Sequence, residues 1–182
     1  FGVQDDFMYQ YALPILNERA GTGNPFFSVL LSISNHPPYV IPPYFHPHSD
    51  VLEEQIVEYA DWSIRQFMQA AEKQPWFDNT IFVFLGDHGK MVGTPECEMP
   101  QSYNHIPLMI YGKDIKPGVY DGFGGQVDVS PTLLGLLNIS YLQNNFGVNL
   151  LEEERPCMFF TADNLIGARD SVNMFIYSPD SQ

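Results

Sequence analysis

The stretch Ile81-Phe82-Val83-Phe84-Leu85-Gly86-Asp87-His88-Gly89 places an apolar run directly before a carboxylate, an imidazole and a glycine. The run from Ile81 to Leu85 is rich in β-branched and aromatic residues. This predicts a strand buried on both faces, as in a parallel sheet covered by helices. Ligands of such sheets bind just beyond the carboxyl ends of the strands. Asp87 and His88 stand at that end, and we expect Gly86 and Gly89 to allow close backbone approach.

Asp87 and His88 admit two interpretations. A carboxylate oxygen beside an imidazole nitrogen is half of a site for a divalent metal such as Zn²⁺ or Mn²⁺. Alternatively, the pair forms a turn in which Asp87 caps the following segment and His88 is incidental. The preceding strand and the rest of the chain favour the metal interpretation.

Length and composition predict one globular domain. The chain has 182 residues, of which 45% are hydrophobic and 14% aromatic, which is enough for a hydrophobic core. It contains no apolar run of the roughly 18 residues that a membrane span needs, and no secretory signal at its start. Because it opens at Phe1-Gly2 without Met, we expect a processed product or an excised part of a longer protein.

The net charge of the chain indicates which molecules it can bind. There are 22 Asp and Glu residues against 8 Lys and Arg, a formal net charge of −14. This charge argues against nucleic acid as a partner. It also repels an anionic substrate unless a metal or a local cation reverses the field at the site.

Two cysteines, Cys97 and Cys157, carry little information. They match no zinc-binding spacing and no C-x-x-C motif. They are either spectators or the two halves of a single disulfide.

Hydrophobic periodicity predicts alternating helices and strands, and therefore one α/β unit. A helix followed by a strand is the crossover expected of a parallel sheet. The long central helix has a capping-box pattern at its start, formed by Asp50 and Glu53, with Ser49 as the other candidate cap. The predicted elements are a helix over Asp5–Arg19 with Pro14 as a kink, a buried strand over Phe26–Ile33, a helix from Ser49 or Asp50 to about Gln74, a strand over Ile106–Tyr111, a short helix from near Ser130 to Leu137, and late strands over Met158–Ala162 and Val172–Tyr177, joined as a hairpin across Asp163 to Asp170.

Histidines also lie in two other loops at predicted strand ends. His36 follows the Phe26–Ile33 strand, so it can reach the same rim as His88. His105 precedes its strand and reaches that rim only if the loop after Gly89 bends back. Either histidine alone could be an ordinary loop residue. His46 and His48 are predicted to be surface residues.

The segment Leu85–Gly89, preceded by Trp76–Ile81, resembles the second metal-ligand motif of the alkaline phosphatase superfamily. The best match is to the sulfatase-like branch that holds the lipoteichoic acid synthases and related phosphoglycerol transferases. Together the matching segments cover roughly residues 26 to 150 in the family's order. The supporting matches are Ser34–Tyr39, Tyr59–Asp61, His105–Leu108 and Gln126–Leu134.

This resemblance implies an α/β fold, the alkaline-phosphatase-like three-layer αβα sandwich with a mostly parallel sheet. Here the sandwich is expected to be incomplete and to end in a C-terminal β-hairpin. Residues 1–182 would form the C-terminal portion of one sulfatase-like catalytic domain.

The resemblance also implies a metal-dependent transferase or hydrolase acting on a phosphodiester, a phosphomonoester or a sulfate ester, of the phosphoglycerol transferase type. The implied cofactor is a divalent metal: Mn, Zn, Mg or Ca. Asp87 and His88 match two metal ligands. His36 matches a residue that contacts the phosphoryl or leaving group, and His105 is a candidate for a second metal or a substrate contact.

One part of the family pattern is not matched. The family's nucleophile, a Thr or in true sulfatases a modified Cys or Ser, and a further carboxylate ligand lie N-terminal to the matched region. We assign no residue of this chain as nucleophile. Since zinc sites normally use at least three protein ligands, we expect this chain to be inactive alone.

The resemblance implies a phosphate- or sulfate-ester substrate, lipid- or glycan-linked, and a membrane-anchored parent protein facing the extracytoplasmic side. An exposed sheet edge is expected to favour self-association. Two other functions stay open. One is a sulfatase that hydrolyses sulfuric esters, and the other is a non-catalytic binding module in which Asp87 and His88 are structural.

Overall fold

A computed structural model describes residues 2–91, 93–162 and 164–179. The described chain divides into two compact units, one built from the residues up to Phe82 with Tyr111–Asp114, the other from Val83–Ile110 and the residues from Ile115 onward. The helices are α1 (Asp5–Gly21), α2 (Leu52–Ala71), α3 (Gln101–Asn104) and α4 (Gln126–Leu136), the strands are β1 (Phe82–Leu85), β2 (Leu108–Tyr111), β3 (Met158–Ala162), β4 (Leu165–Arg169) and β5 (Met174–Tyr177), and a 3₁₀ turn covers Phe77–Asn79.

The first unit is built on α1 packed against α2. α1 is continuous through Pro14. Its Tyr9 stacks on Phe67 of α2 with ring centroids 5.0 Å apart. Burial, with a smaller contribution from the Asp5 charge, raises the pKa of Tyr9 to about 12. The buried apolar side chains of this unit are Ala12, Leu16, Ile56, Tyr59, Phe67 and Ala71.

Asp6 joins the two helices through a buried hydrogen bond. Its carboxylate accepts the hydroxyl of Tyr59 on α2 at 2.5 Å and that of Tyr44 at 2.9 Å. Burial, and then the hydrogen bond to Asp6, raises the pKa of Tyr59 well above its usual value. Tyr59 therefore stays a neutral donor, which a buried carboxylate requires.

The strand predicted over Phe26–Ile33 is wrong. These residues form no strand in the structure. Phe27, Val29 and Leu31 are 87%, 73% and 73% exposed. A buried apolar run predicts a strand only if another strand supplies its hydrogen bonds, and no described strand lies beside this segment.

The predicted capping box of α2 is also wrong. The helix begins at Leu52 with Val51 as N-cap, and no side chain caps it. Ser49 accepts the Val51 N–H at 3.0 Å, and its hydroxyl donates to Glu54 at 2.5 Å. Ser49 therefore organises the turn before the helix, and the helix ends at Ala71, before the predicted Gln74.

β1 and β2 form a two-stranded sheet, and all of their residues except Phe82 and Tyr111 belong to the second unit. Both strands lie inside the predicted runs. Their side chains are not buried on both faces: β1 is half-buried with Leu85 exposed, and β2 alternates half-buried and exposed positions. The predicted burial on both faces is therefore wrong for the described strands, because burial depends on what packs on the sheet and not on the apolar run alone.

α4 begins at Gln126, four residues before the predicted start near Ser130, and Pro131 lies within it. The cause is Asp128. Its carboxylate accepts the Gly125 N–H at 2.8 Å and the Val148 N–H at 2.8 Å. Arg155 binds the same carboxylate with two nitrogens, at 2.7 and 2.5 Å. Four hydrogen bonds on one buried carboxylate stabilise the first turn of the helix.

The C-terminal sheet has the order β3-β4-β5, antiparallel throughout. β3 coincides with the predicted Met158–Ala162 strand, and β5 is the shorter core of the predicted Val172–Tyr177 strand. The predicted C-terminal β-hairpin is confirmed, since β3 and β4 pair antiparallel. The predicted connection is wrong: Leu165–Arg169 is itself a strand, so the two predicted strands do not pair with each other. Asp163, where that connection was predicted to begin, lies outside the described residues.

Two further findings concern the whole described chain. Cys97 and Cys157 are both free and half-buried. Among the described helices, none has the length and apolar character needed to cross a membrane.

Candidate functional site

Asp87 and His88 follow β1 directly, and their side chains are 80% and 55% exposed. One Asp87 oxygen, Oδ1, accepts the backbone N–H of His88 at 2.9 Å. The other, Oδ2, lies 3.8 Å from Nε2 of His88. The pair thus presents an oxygen and a nitrogen side by side to solvent.

Two contacts fix the His88 ring. Its Nδ1 lies 2.7 Å from the carbonyl oxygen of Gly89. A carbonyl only accepts, so Nδ1 carries the proton and Nε2 keeps its lone pair. The ring also stacks on Tyr103, with centroids 5.3 Å apart. A backbone carbonyl on the second ring nitrogen is the arrangement typical of metal-binding histidines.

The donor set of Asp87 and His88 fits part of a divalent-metal site. Metal bonds to imidazole nitrogen and carboxylate oxygen are about 2.0 to 2.2 Å long, so donors up to about 4 Å apart can share one ion. The 3.8 Å separation meets this condition. Among the described residues, no group of three or more His, Cys, Asp and Glu side chains is arranged to hold a metal ion. The pair alone could supply at most two donors to an ion.

Close packing leaves no room for a side chain at position 89, so a glycine is required there. A Cβ at this position would lie 2.1 Å from the carbonyl oxygen of Ser102. The Gly89 N–H donates to the carbonyl of Tyr103 at 2.8 Å. The close approach predicted at Gly89 is therefore confirmed, whereas a Cβ at Gly86 would make ordinary contact at 3.4 Å with Ile106.

Gln126 also holds the turn, and sequence reasoning missed this role. Its side-chain nitrogen donates to the carbonyl of Asp87 at 2.8 Å and to that of Gly86 at 3.2 Å. Gln126 begins the matching segment Gln126–Leu134, but a sequence match does not show which backbone atoms a side chain reaches.

His36 lies in the first unit, whereas Asp87, His88 and His105 lie in the second. The His36 side chain is exposed, and its Nδ1 donates to the carbonyl of Pro37 at 2.7 Å. Its Nε2 therefore keeps a lone pair.

Asp5 anchors the segment that leads to His36, which the sequence did not indicate. The Asp5 carboxylate is 2% exposed and accepts the N–H groups of Ile33 and Ser34, both at 3.0 Å. The only sequence signal was an acidic pair at the start of a helix, which usually marks a favourable interaction with the helix dipole.

His105 follows α3, and its N–H donates to the carbonyl of Gln101 at 2.8 Å. Its Nδ1 lies 3.5 Å from the Gln101 amide nitrogen, so that ring nitrogen faces a donor. The predicted surface position of His48 agrees with the structure: its ring is 96% exposed and lies 3.2 Å from Glu58.

The overall fold is that of the alkaline phosphatase superfamily. A superfamily member from Vibrio parahaemolyticus matches 100% of this chain with a TM-score of 0.89 and 27% identity, and the match covers 46% of that protein. LtaP, a lipoteichoic acid synthase from Listeria monocytogenes, matches 100% of the chain with a TM-score of 0.73 and 23% identity, covering 55% of LtaP.

The chain belongs to the Sulfatase family, whose sequence model matches residues 1–139. Lipoteichoic acid synthase 1 of Bacillus subtilis is 25% identical over 97% of the chain, and the match covers 31% of that protein. The chain thus spans about a third of this relative's length. The family resemblance inferred from the motifs, including its lipoteichoic acid synthase branch, is confirmed.

Proposed function

We propose that the protein is a metal-dependent enzyme of the phosphoglycerol transferase type, which transfers a phosphoryl group between ester oxygens. Membership of the Sulfatase family and similarity to lipoteichoic acid synthases support the class. The assignment of Asp87 and His88 to the site depends mainly on one observation. The Gly89 carbonyl holds the His88 ring so that Nε2 keeps its lone pair 3.8 Å from the Asp87 carboxylate.

Asp87 and His88 would be two of the protein ligands of a divalent metal. Mn, Zn, Mg and Ca are all compatible with a carboxylate ligand, and the imidazole favours Zn or Mn. When bound, such an ion screens charge on the non-bridging oxygens of the ester and lowers the pKa of an attacking hydroxyl.

Two other histidines, His36 and His105, are further candidate site residues. Nε2 of His36 is free to accept a proton or, when protonated, to donate to a phosphoryl or leaving-group oxygen. For His105, Nδ1 lies 3.5 Å from the Gln101 amide nitrogen, and the ring would contact either the substrate or a second metal.

The proposed substrate is a phosphate ester carried by a lipid or a glycan, and the proposed location is the extracytoplasmic side of the membrane. Both follow from the lipoteichoic acid synthase relatives. In this proposal residues 1–182 form part of one sulfatase-like catalytic domain. Protease treatment of intact cells tests the location: cleavage without lysis is expected, and complete protection would contradict it.

Substitution of the ligand pair tests the function. In the protein as encoded, we expect Asp87→Asn and His88→Gln each to lower turnover of a phosphodiester substrate such as bis(p-nitrophenyl) phosphate by more than about a hundredfold, because even residues behind a metal ligand cost 10- to 100-fold. Asp121→Asn and His46→Gln are the matched controls, since both side chains are exposed. Unchanged turnover in the Asp87 and His88 variants would support the non-catalytic binding module instead.

The second candidate function is sulfuric ester hydrolysis, which the family match itself favours. Parallel assays with p-nitrophenyl phosphate, bis(p-nitrophenyl) phosphate and p-nitrophenyl sulfate separate the two. Sulfate release without phosphate ester turnover would replace the phosphoryl transferase proposal with a sulfatase.

A further inference from the structure

Gln126 contacts the turn that carries the proposed metal ligands. Its Nε2 lies 2.8 Å from the carbonyl oxygen of Asp87 and 3.2 Å from that of Gly86. Both partners accept hydrogen bonds and cannot donate, so only the NH₂ end of the amide can satisfy both, with one N–H for each carbonyl. The amide bridges two consecutive peptide groups at the point where β1 gives way to the Asp87–His88 pair.

This bridge constrains the backbone from which both proposed ligands project. The peptide planes of Gly86 and Asp87 flank the Cα atom of Asp87, so fixing their carbonyls fixes the direction of its side chain. On the other side of the pair, the N–H of Gly89 is held by Tyr103. The turn is therefore fixed at both ends, although the Asp87 and His88 side chains are solvent-exposed.

The Gln126 side chain is exposed, but the start of the helix that carries it is held by buried interactions. Gln126 is the first residue of α4, and the preceding Gly125 donates its N–H to Asp128 at 2.8 Å. Asp128 is fully buried and bound by two nitrogens of Arg155. An amide on a short, braced helix start can position a partner more precisely than one on a free loop.

We infer that Gln126 is a positioning residue that orders the Asp87–His88 turn for metal binding. Its side-chain donors are both used on backbone carbonyls, so it acts through the turn. The metal in this inference rests on the proposed function. The positioning role itself rests on the Gln126 hydrogen bonds.

The test compares two variants with matched controls in the protein as encoded. Gln126→Met keeps the length of the side chain and removes both donors. Gln126→Glu keeps the shape and presents an acceptor to two acceptors. Gln69→Met and Gln69→Glu make the same changes at an exposed helix position with no side-chain hydrogen bond among the described residues. The readouts are the Kd for Mn²⁺ by calorimetry, amide hydrogen exchange at Gly86 and Gly89 without metal, and the unfolding transition.

We expect both Gln126 variants to raise the Kd for Mn²⁺ by about tenfold or more and to speed exchange at Gly86 and Gly89. Their unfolding transitions should match those of the Gln69 variants. Unchanged exchange and Kd would overturn the inference, as would a rise in Kd that merely follows a loss of stability.

The two proposals fail in different ways. If the unsubstituted protein does not bind Mn²⁺, Zn²⁺, Mg²⁺ or Ca²⁺, the metal site is refuted and with it the role of Gln126 in metal binding. If it binds metal and the Gln126 variants bind equally well, only the positioning role is refuted.

Discussion

The buried carboxylate of Asp128 accepts hydrogen bonds from several separate segments of the chain. It is fully buried, and its oxygens accept hydrogen bonds from the Gly125 and Val148 N–H groups and from Arg155. Asp61 and Arg65 also form an ion pair, at 2.8 Å, but both side chains are about two-thirds exposed. Distance is similar in the two pairs and burial differs, so the pairs should differ greatly in their effect on stability.

We predict that Asp128→Asn lowers the free energy of unfolding by about 3 kcal/mol, because it leaves the Arg155 charge without its partner. Asp61→Asn is the matched control and should cost less than about 1 kcal/mol. Denaturant unfolding of the two variants checks this. Equal losses would show that the Asp128–Arg155 pair adds nothing beyond an exposed one.

Asp128 should also contribute to acid sensitivity. Burial by itself raises the pKa of Asp128, but the hydrogen bonds from Arg155, Val148 and Gly125 outweigh it and hold the pKa below its usual value. A carboxyl with a lower pKa when folded stabilises fully above the unfolded pKa of about 3.9. That contribution is lost as the pH falls through the folded pKa. We expect a shallower loss of stability below about pH 4 in Asp128→Asn than in the unsubstituted protein, measured by denaturant unfolding at several pH values.

Asp5 has a comparable role in the segment before His36. Its buried carboxylate accepts the Ile33 and Ser34 N–H groups. We predict that Asp5→Ala lowers the free energy of unfolding by about 2 kcal/mol, because part-buried donors lose their acceptor. It should also speed hydrogen exchange at His36, whose N–H donates to Ile33. Asp50→Ala, at an exposed position, is the control, and an equal effect there would contradict the assignment.

At the scale of elements, the segment Phe26–Ile33 combines apolar composition with exposure. Phe27, Val29 and Leu31 alternate along it and are all largely solvent-exposed. The segment forms no strand in the described chain, and its exposed apolar side chains are available for pairing, although the backbone of Ile33 is already bound by Asp5 and His36. Exposed, extended apolar segments favour pairing with another chain.

We predict that residues 1–182 self-associate through this segment and that Val29→Lys shifts the population toward monomer. A charge at the centre of the segment should oppose pairing. Val119→Lys is the control, because Val119 is 87% exposed but lies outside the segment. Light scattering after size exclusion measures the outcome. A monomer before substitution, or an equal shift with Val119→Lys, would argue against pairing here.

At the scale of the whole molecule, the net charge of −14 opposes the approach of an anionic substrate. Salt shortens the Debye length from about 8 Å at physiological ionic strength to about 3 Å at 1 M. In the protein as encoded, we predict that kcat/KM for a soluble anionic phosphodiester rises several-fold with added NaCl, because the repulsion from residues 1–182 is screened. A zwitterionic phosphodiester should change little. A fall in kcat/KM for the anionic substrate would show that the site itself presents net positive charge.

How far the sequence predicts the structure differs among these cases. The β1 strand and the Asp87–His88 pair were predictable, because an apolar run and the residues after it are contiguous. The extent of α4 was not, since Asp128 starts the helix with the help of Arg155, 27 residues further on. The role of Gln126 was equally hidden, because its carbonyl partners lie 39 and 40 residues earlier.

By itself the sequence determined the ordered motifs of the Sulfatase family, the acidic charge, and the strand that ends in Asp87 and His88. Only the tertiary structure decided that Phe26–Ile33 forms no strand and that Leu165–Arg169 does. It also decided that Asp5 holds the segment before His36, Asp128 the start of α4, and Gln126 the Asp87–His88 turn. The physical reason is that hydrophobic runs and adjacent ligands are local properties of the chain. Strand pairing, burial of a charge and a side chain that bridges two carbonyls depend on residues that are distant in sequence, and the folded chain alone brings them together.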